Sequence, residues 1–136
     1  MTSRLNSALI KRHDLEVGSF FFYKNYIVAE VKEGIAFTFK NAFQVLELGK
    51  VYYGSTTPFV YISNRVNSCS FNPTAHFKTQ AMFPNLKGYA VVIYDEMNQE
   101  IAEMEQTFLN KPVAIFHNLK DTLNWVEALI LIDLSF

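Results

Sequence analysis

The sequence predicts an α/β fold built on a mixed, mainly parallel sheet of four to five strands, in the order β-β-α-β-α-β-α-β-α. Three observations lead there. Short runs rich in Val, Ile, Phe and Tyr recur along the chain. Stretches of about 10–15 residues with helical spacing separate them. The later runs also lack the polar alternation of a strand with one wet face, which fits central strands covered on both sides. Strand–helix–strand order implies right-handed crossovers and therefore parallel neighbours.

The elements follow in order. Residues 1–12 lack a pattern and read as a flexible tail or a single helical turn. Ser19–Tyr23 and Tyr26–Val31 flank the polar pair Lys24-Asn25, the mark of a hairpin whose first strand, with Phe20-Phe21-Phe22, forms an antiparallel edge. In the second run Ile27, Ala29 and Val31 alternate with Val28, Glu30 and Lys32, so one face is buried and the other partly wet. Thr38 is placed to cap a helix with Phe39, Ala42, Phe43 and Leu46 on one face, decaying at Gly49 and Gly54, with Val51–Tyr53 as a last turn. Pro58–Ile62 is a buried strand, and Ser63–Asn72 a long polar loop.

Asn72-Pro73 has the form of an N-cap followed by proline, opening a helix that carries Phe77 and Ala81 and stops before Pro84. Gly88–Tyr94 is the clearest strand. Asp95 opens a helix with Met97, Ile101, Met104 and Phe108 as its core stripe and Glu96, Glu100, Glu103 and Glu105 largely off it. Val113–Phe116 is another buried strand. Asn118 caps the last helix, with Asp121 at its third position and Leu119, Leu123 and Val126 facing inward. Its apolar end, Ala128–Ile132, either packs deeply or meets a partner.

With 136 residues, 50% of them hydrophobic and 18% charged, the chain has the material for one domain over residues 1–136 and one sizeable core. A net charge of −1 with scattered Lys and Arg disfavours nucleic acid. The lone Cys69 excludes an internal disulfide and a sulfur-rich zinc site. No apolar run reaches the roughly 20 residues of a membrane span, and no secretion signal opens the chain, so a cytoplasmic protein is expected.

His13, His76 and His117 show no metal-ligand spacing, and glycine-rich phosphate loops and a GxSxG nucleophile turn are missing. Neither a metal nor a cofactor is expected. Ligands of open α/β sheets favour the carboxyl ends of strands. Three polar stretches fall there: Ser63–Asn72, Asp95–Gln99 and His117–Asp121. The first is the leading candidate, because Arg65 offers a planar fork to carboxylate or phosphate. Ser63, Asn64, Asn67 and Ser68 add neutral hydrogen-bonding groups. The same residues also suit a loop that satisfies its own backbone. Cys69, seven residues before His76, would carry a thiol chemistry only if the two side chains met in space.

The string Pro58–Pro73, together with Ile27–Gly34 and Lys111–Phe116, resembles a group of small bacterial proteins of the STAS/SpoIIAA-like superfamily, common in flavobacteria and their relatives. The likeness covers about residues 17 to 130. It implies a non-enzymatic binding or regulatory module that recognises a partner protein or a small apolar or anionic ligand. Some members are switched by phosphorylation within an Asp-Ser-Ser/Thr-Gly string; this chain lacks that string, although Ser63, Ser68 and Ser70 occupy the equivalent loop. The alternatives are a homo-oligomeric scaffold joined through Ala128–Phe136 or the Phe20–Phe22 edge, and a small ligand-processing enzyme.

Overall fold

The computed structural model describes residues 9–67, 70–71, 81–108 and 112–134. The Asn72-Pro73 helix start, Phe77, Ser68, Cys69 and His76 lie outside them; Ala81 and Met82 are helical. The elements are β1 (Lys11–Leu15), β2 (Gly18–Phe22), β3 (Tyr26–Val31), β4 (Ala36–Phe37), α1 (Phe43–Tyr53), β5 (Phe59–Asn64), β6 (Ser70–Phe71), β7 (Leu86–Val92), α2 (Glu96–Phe108), β8 (Val113–Phe116) and α3 (Leu119–Leu134).

The main sheet runs β1-β2-β3-β5-β7-β8, antiparallel through β3 and parallel from there on. It has six strands, one more than the upper end of the expected range. The added strand, β1, begins inside the stretch read as a tail. Its Lys11, Arg12 and Asp14 are exposed and carry no apolar alternation, so nothing in their composition marks a strand. Because β1 covers β2, the Phe20–Phe22 run is not an edge: Phe20 and Phe22 are fully buried. β4 and β6 form a separate parallel pair.

Strand alternation sorts the core onto two faces. Phe20, Phe22, Ile27, Ala29 and Phe59 pack with Val45, Leu46 and Tyr53 of α1. Tyr89, Val91 and Ile93 pack with Ala102 of α2. The opposite face, Tyr26, Val28, Val60, Ile62, Ala90 and Val92, receives Val126 and Ile130 of α3. Close seating of α3 needs Gly88, where a Cβ would stand 2.6 Å from Leu129 Cδ2 and 2.9 Å from Trp125 Cη2.

Two helix stripes differ from expectation. α1 starts at Phe43, because Thr38 and Asn41 bond each other's backbone N–H reciprocally and hold residues 38–42 as turns. Its buried side is Val45, Leu46, Gly49 and Tyr53, and Phe43 is exposed. The helix continues through Gly49 and closes at Gly54, whose φ of 57° suits glycine. In α2 the buried residue, among those whose side chains are described, is Ala102, and Met104 is exposed rather than core. The Asn118 cap is as expected: its Oδ1 accepts the Asp121 N–H at 2.8 Å.

Two asparagines knit the entry to β5. Asn25 Nδ2 donates to the Pro58 carbonyl, and Asn85 Nδ2 faces the carbonyls of Tyr53, Gly54 and Thr57, replacing missing helical partners at the end of α1. Tyr53 spans the same region: its hydroxyl shares its proton between the Tyr23 and Tyr26 carbonyls, tying α1 to the hairpin turn. Burial raises the Tyr53 phenol well above its ordinary pKa.

Candidate functional site

The strands β3, β5 and β7 bring Glu30, Asn64 and Tyr94 together at the carboxyl end of the sheet. Alternation places Glu30 beyond Val28, Asn64 beyond Ile62, and Tyr94 beyond Val92, all on the α3 face. Asn64 Nδ2 donates to Glu30 Oε2 at 2.9 Å, and the Tyr94 hydroxyl donates to Asn64 Oδ1 at 2.7 Å. A carboxylate only accepts, so the amide nitrogen must face Glu30 and its oxygen must face the tyrosine. Partial burial and the nearby Glu30 charge raise the Tyr94 pKa, keeping the hydroxyl a donor at neutral pH.

Ser63 and Asn64 are the last residues of β5, not the first of a loop. Ser63, Asn64 and Arg65 are all buried. Arg65 donates from Nε to Ser63 Oγ at 3.1 Å, and its backbone N–H bonds the Val92 carbonyl at 2.9 Å. The guanidinium is buried at the strand ends, with its Nε committed to Ser63. Asn67 is exposed, and its Nδ2 donates to the Val31 carbonyl at 3.1 Å. Ser68 lies outside the described residues. Of the expected site, Ser63, Asn64 and Arg65 converge as a buried support, with Asn67 at its rim.

An open groove of about 240 Å³ adjoins this support, lined by Ile93, Tyr94, Asp95, Glu96, Gln99 and His117. It draws on the other two polar stretches, those after β7 and β8. Asp95 and Glu96 sit at the start of α2, where carboxylates complement the helix dipole. The groove thus offers two carboxylates, an amide and an imidazole beside an aromatic ring. It suits a hydrogen-bond-donating or cationic group better than an anion.

Sequence reading missed Glu30 and Tyr94. Glu30 was visible as the polar residue that interrupts an apolar strand; Tyr94 was hidden at the end of one. The strand order bears on where a crevice can open. From β3 to β8 the parallel strands advance in one direction only, so the sheet has no order reversal of the kind that opens a binding crevice. Among the described residues no helix is long and apolar enough to cross a membrane, and no group of three or more His, Cys, Asp or Glu could hold a metal. The tyrosines do not gather at one place: Tyr61 stacks on Tyr89 at 5.1 Å, and Tyr53 stacks on Phe59.

No family model matches the chain, and no curated protein matches it in sequence. Among solved structures it is similar to an uncharacterised protein of the DUF3478 family with a SpoIIAA-like fold from Shewanella loihica PV-4. The TM-score is 0.53 at 15% identity, over 93% of this chain and 98% of that one. The chain has a SpoIIAA-like fold.

Proposed function

We propose that this SpoIIAA-like chain is a non-enzymatic, STAS-like binding module that recognises a partner protein at the groove beside Tyr94. Ser63, Asn64 and Arg65 are its buried support, and Asn67 is on its rim. One observation carries the reading. The Tyr94 ring is about half exposed, yet its hydroxyl is fixed to a buried amide that is itself fixed to a neighbouring strand. An exposed aromatic held in place loses little freedom on binding, which is the property of residues that dominate interfaces.

The charge of the surroundings points to the kind of partner. Asp95 and Glu96 line the groove, and Glu100 and Glu103 continue along α2, all exposed. A partner surface with Lys or Arg would meet complementary charge and bind faster at low salt. The test compares wild type with Glu96→Lys as baits in extract of the source cells, with bound proteins quantified by mass spectrometry. A protein retained by the wild type is expected to be lost by the variant, whose Tm falls by only a few °C, the cost of reversing one exposed charge at a helix start. Equal retention on both baits would overturn the proposal.

A further inference from the structure

We propose a second binding site on the α3 face of the hairpin, for an ammonium group carried on an apolar stem. β2 and β3 reach past the edge of α3 and leave an open groove of about 170 Å³ between the sheet and the first two turns of that helix. Phe21, Tyr23 and Tyr26 line it from the sheet, Leu119 and Leu123 from the helix, and Glu30 stands at one end. Tyr26 and Glu30 are four residues apart on one strand, so the aromatic end and the carboxylate are about 13 Å apart.

Charge decides the occupant. Among the described residues that line the groove Glu30 is the one carboxylic acid, and none is Lys, Arg or His. Its Oε2 takes one bond from Asn64, and a carboxylate has capacity for about four, so an incoming N–H has an acceptor. Arg12 lies over the Phe21 ring at 5.1 Å and is paired with Asp14 at 2.9 Å. That ring already receives a cation on one side, as an aromatic face does. The volume is below the roughly 300 Å³ of sites for drug-sized ligands, so the occupant is small and slender. A free alkylamine and a lysine side chain share this chemistry. The site is separate from the groove beside Tyr94, although Glu30 belongs to the support of both.

The test is a two-dimensional NMR titration of the full chain with n-hexylammonium chloride, its neutral isostere n-hexanol, and Nα-acetyl-lysine methylamide. Hexylammonium is expected to shift amides of β2, β3 and the start of α3 saturably, and to bind at least about tenfold tighter than hexanol. Glu30→Gln, which keeps an oxygen for Asn64, should bring the two within about twofold. Tighter binding of the lysine derivative than of hexylammonium assigns the source as a protein side chain; the reverse order assigns it as a free amine. Equal affinity of hexylammonium and hexanol for the wild type would overturn the proposal. So would shifts confined to Asp95 and Glu96, or no saturable shift.

Discussion

Replacing Asn64 by Asp keeps the shape of the side chain and reverses the chemistry of one contact. In the native protein an amide N–H meets Glu30 Oε2 at 2.9 Å. In Asn64→Asp a carboxylate oxygen stands there instead, and neither oxygen can donate while both groups are ionised. Two unit charges about 3 Å apart repel by roughly 5 kcal/mol at an effective dielectric constant near 20. Taking up one proton relieves the repulsion. Binding it at pH 7 on a carboxyl with an ordinary pKa near 4 costs about 4 kcal/mol. The smaller figure sets the upper bound, and partial solvation of Glu30 lowers the expected loss to about 3 kcal/mol at pH 7.

The sign with pH follows from the same step. The pair holds a proton in the folded state that it releases when unfolded, so its folded pKa lies above the unfolded value near 4. The variant's stability is therefore intact below about pH 4 and is lost as pH rises toward the folded pKa. Thermal melts of wild type, Asn64→Asp and Asn64→Ala from pH 4 to pH 8 test this. The gap between wild type and the Asp variant should widen to about 10 °C or more at pH 7, while the gap to the Ala variant stays flat. A pH-independent gap for Asn64→Asp would refute the Glu30–Asn64 contact.

Gly88→Ala forces a methyl against Leu129 and Trp125 and should cost about 1–3 kcal/mol in urea melts; a neutral result would mean that α3 does not sit where described. Tyr53→Phe takes the donor from the Tyr23 carbonyl and should cost about 1–2 kcal/mol, with the hairpin amides exchanging faster by hydrogen-exchange mass spectrometry. Arg65→Ala removes a buried brace and should lower stability by about 2 kcal/mol or more; an unchanged Tm would return Arg65 to the role of a ligand-facing group.

The parallel half of the sheet was legible because β5, β7 and β8 are apolar runs that need cover on both faces, and a βαβ chain has few ways to provide it. β1 was not legible, since an edge strand needs mainly backbone partners: its first four residues, Lys11–Asp14, are polar, and Leu15 is the one apolar residue of the strand that packs on the core. Phe43 and Met104 were misplaced for another reason: helical spacing of apolar residues fits more than one face. Phe43 stands about 100° round α1 from the centre of the buried Val45, Leu46, Gly49 and Tyr53, while Met104 stands about 200° round α2 from the buried Ala102. For the candidate site, sequence pointed to the carboxyl end of the sheet and to Asn64 and Arg65, which the structure brings together there, but not to their burial. Polar residues after a strand read as a loop until the length of the strand is known. β5 runs two residues further than expected, which carries Ser63 and Asn64 inside. Glu30 is 34 residues away from its partner Asn64, a pairing fixed only by strand order.

The central claim, that a partner binds beside Tyr94, is tested most directly by photo-crosslinking in the source cells. A benzophenone side chain is placed at Gln99, in the groove, or at Glu47, exposed on α1, and adducts are mapped by mass spectrometry. The account expects one protein captured from Gln99 and none from Glu47. Capture of the same protein from Glu47 with none from Gln99 would contradict it.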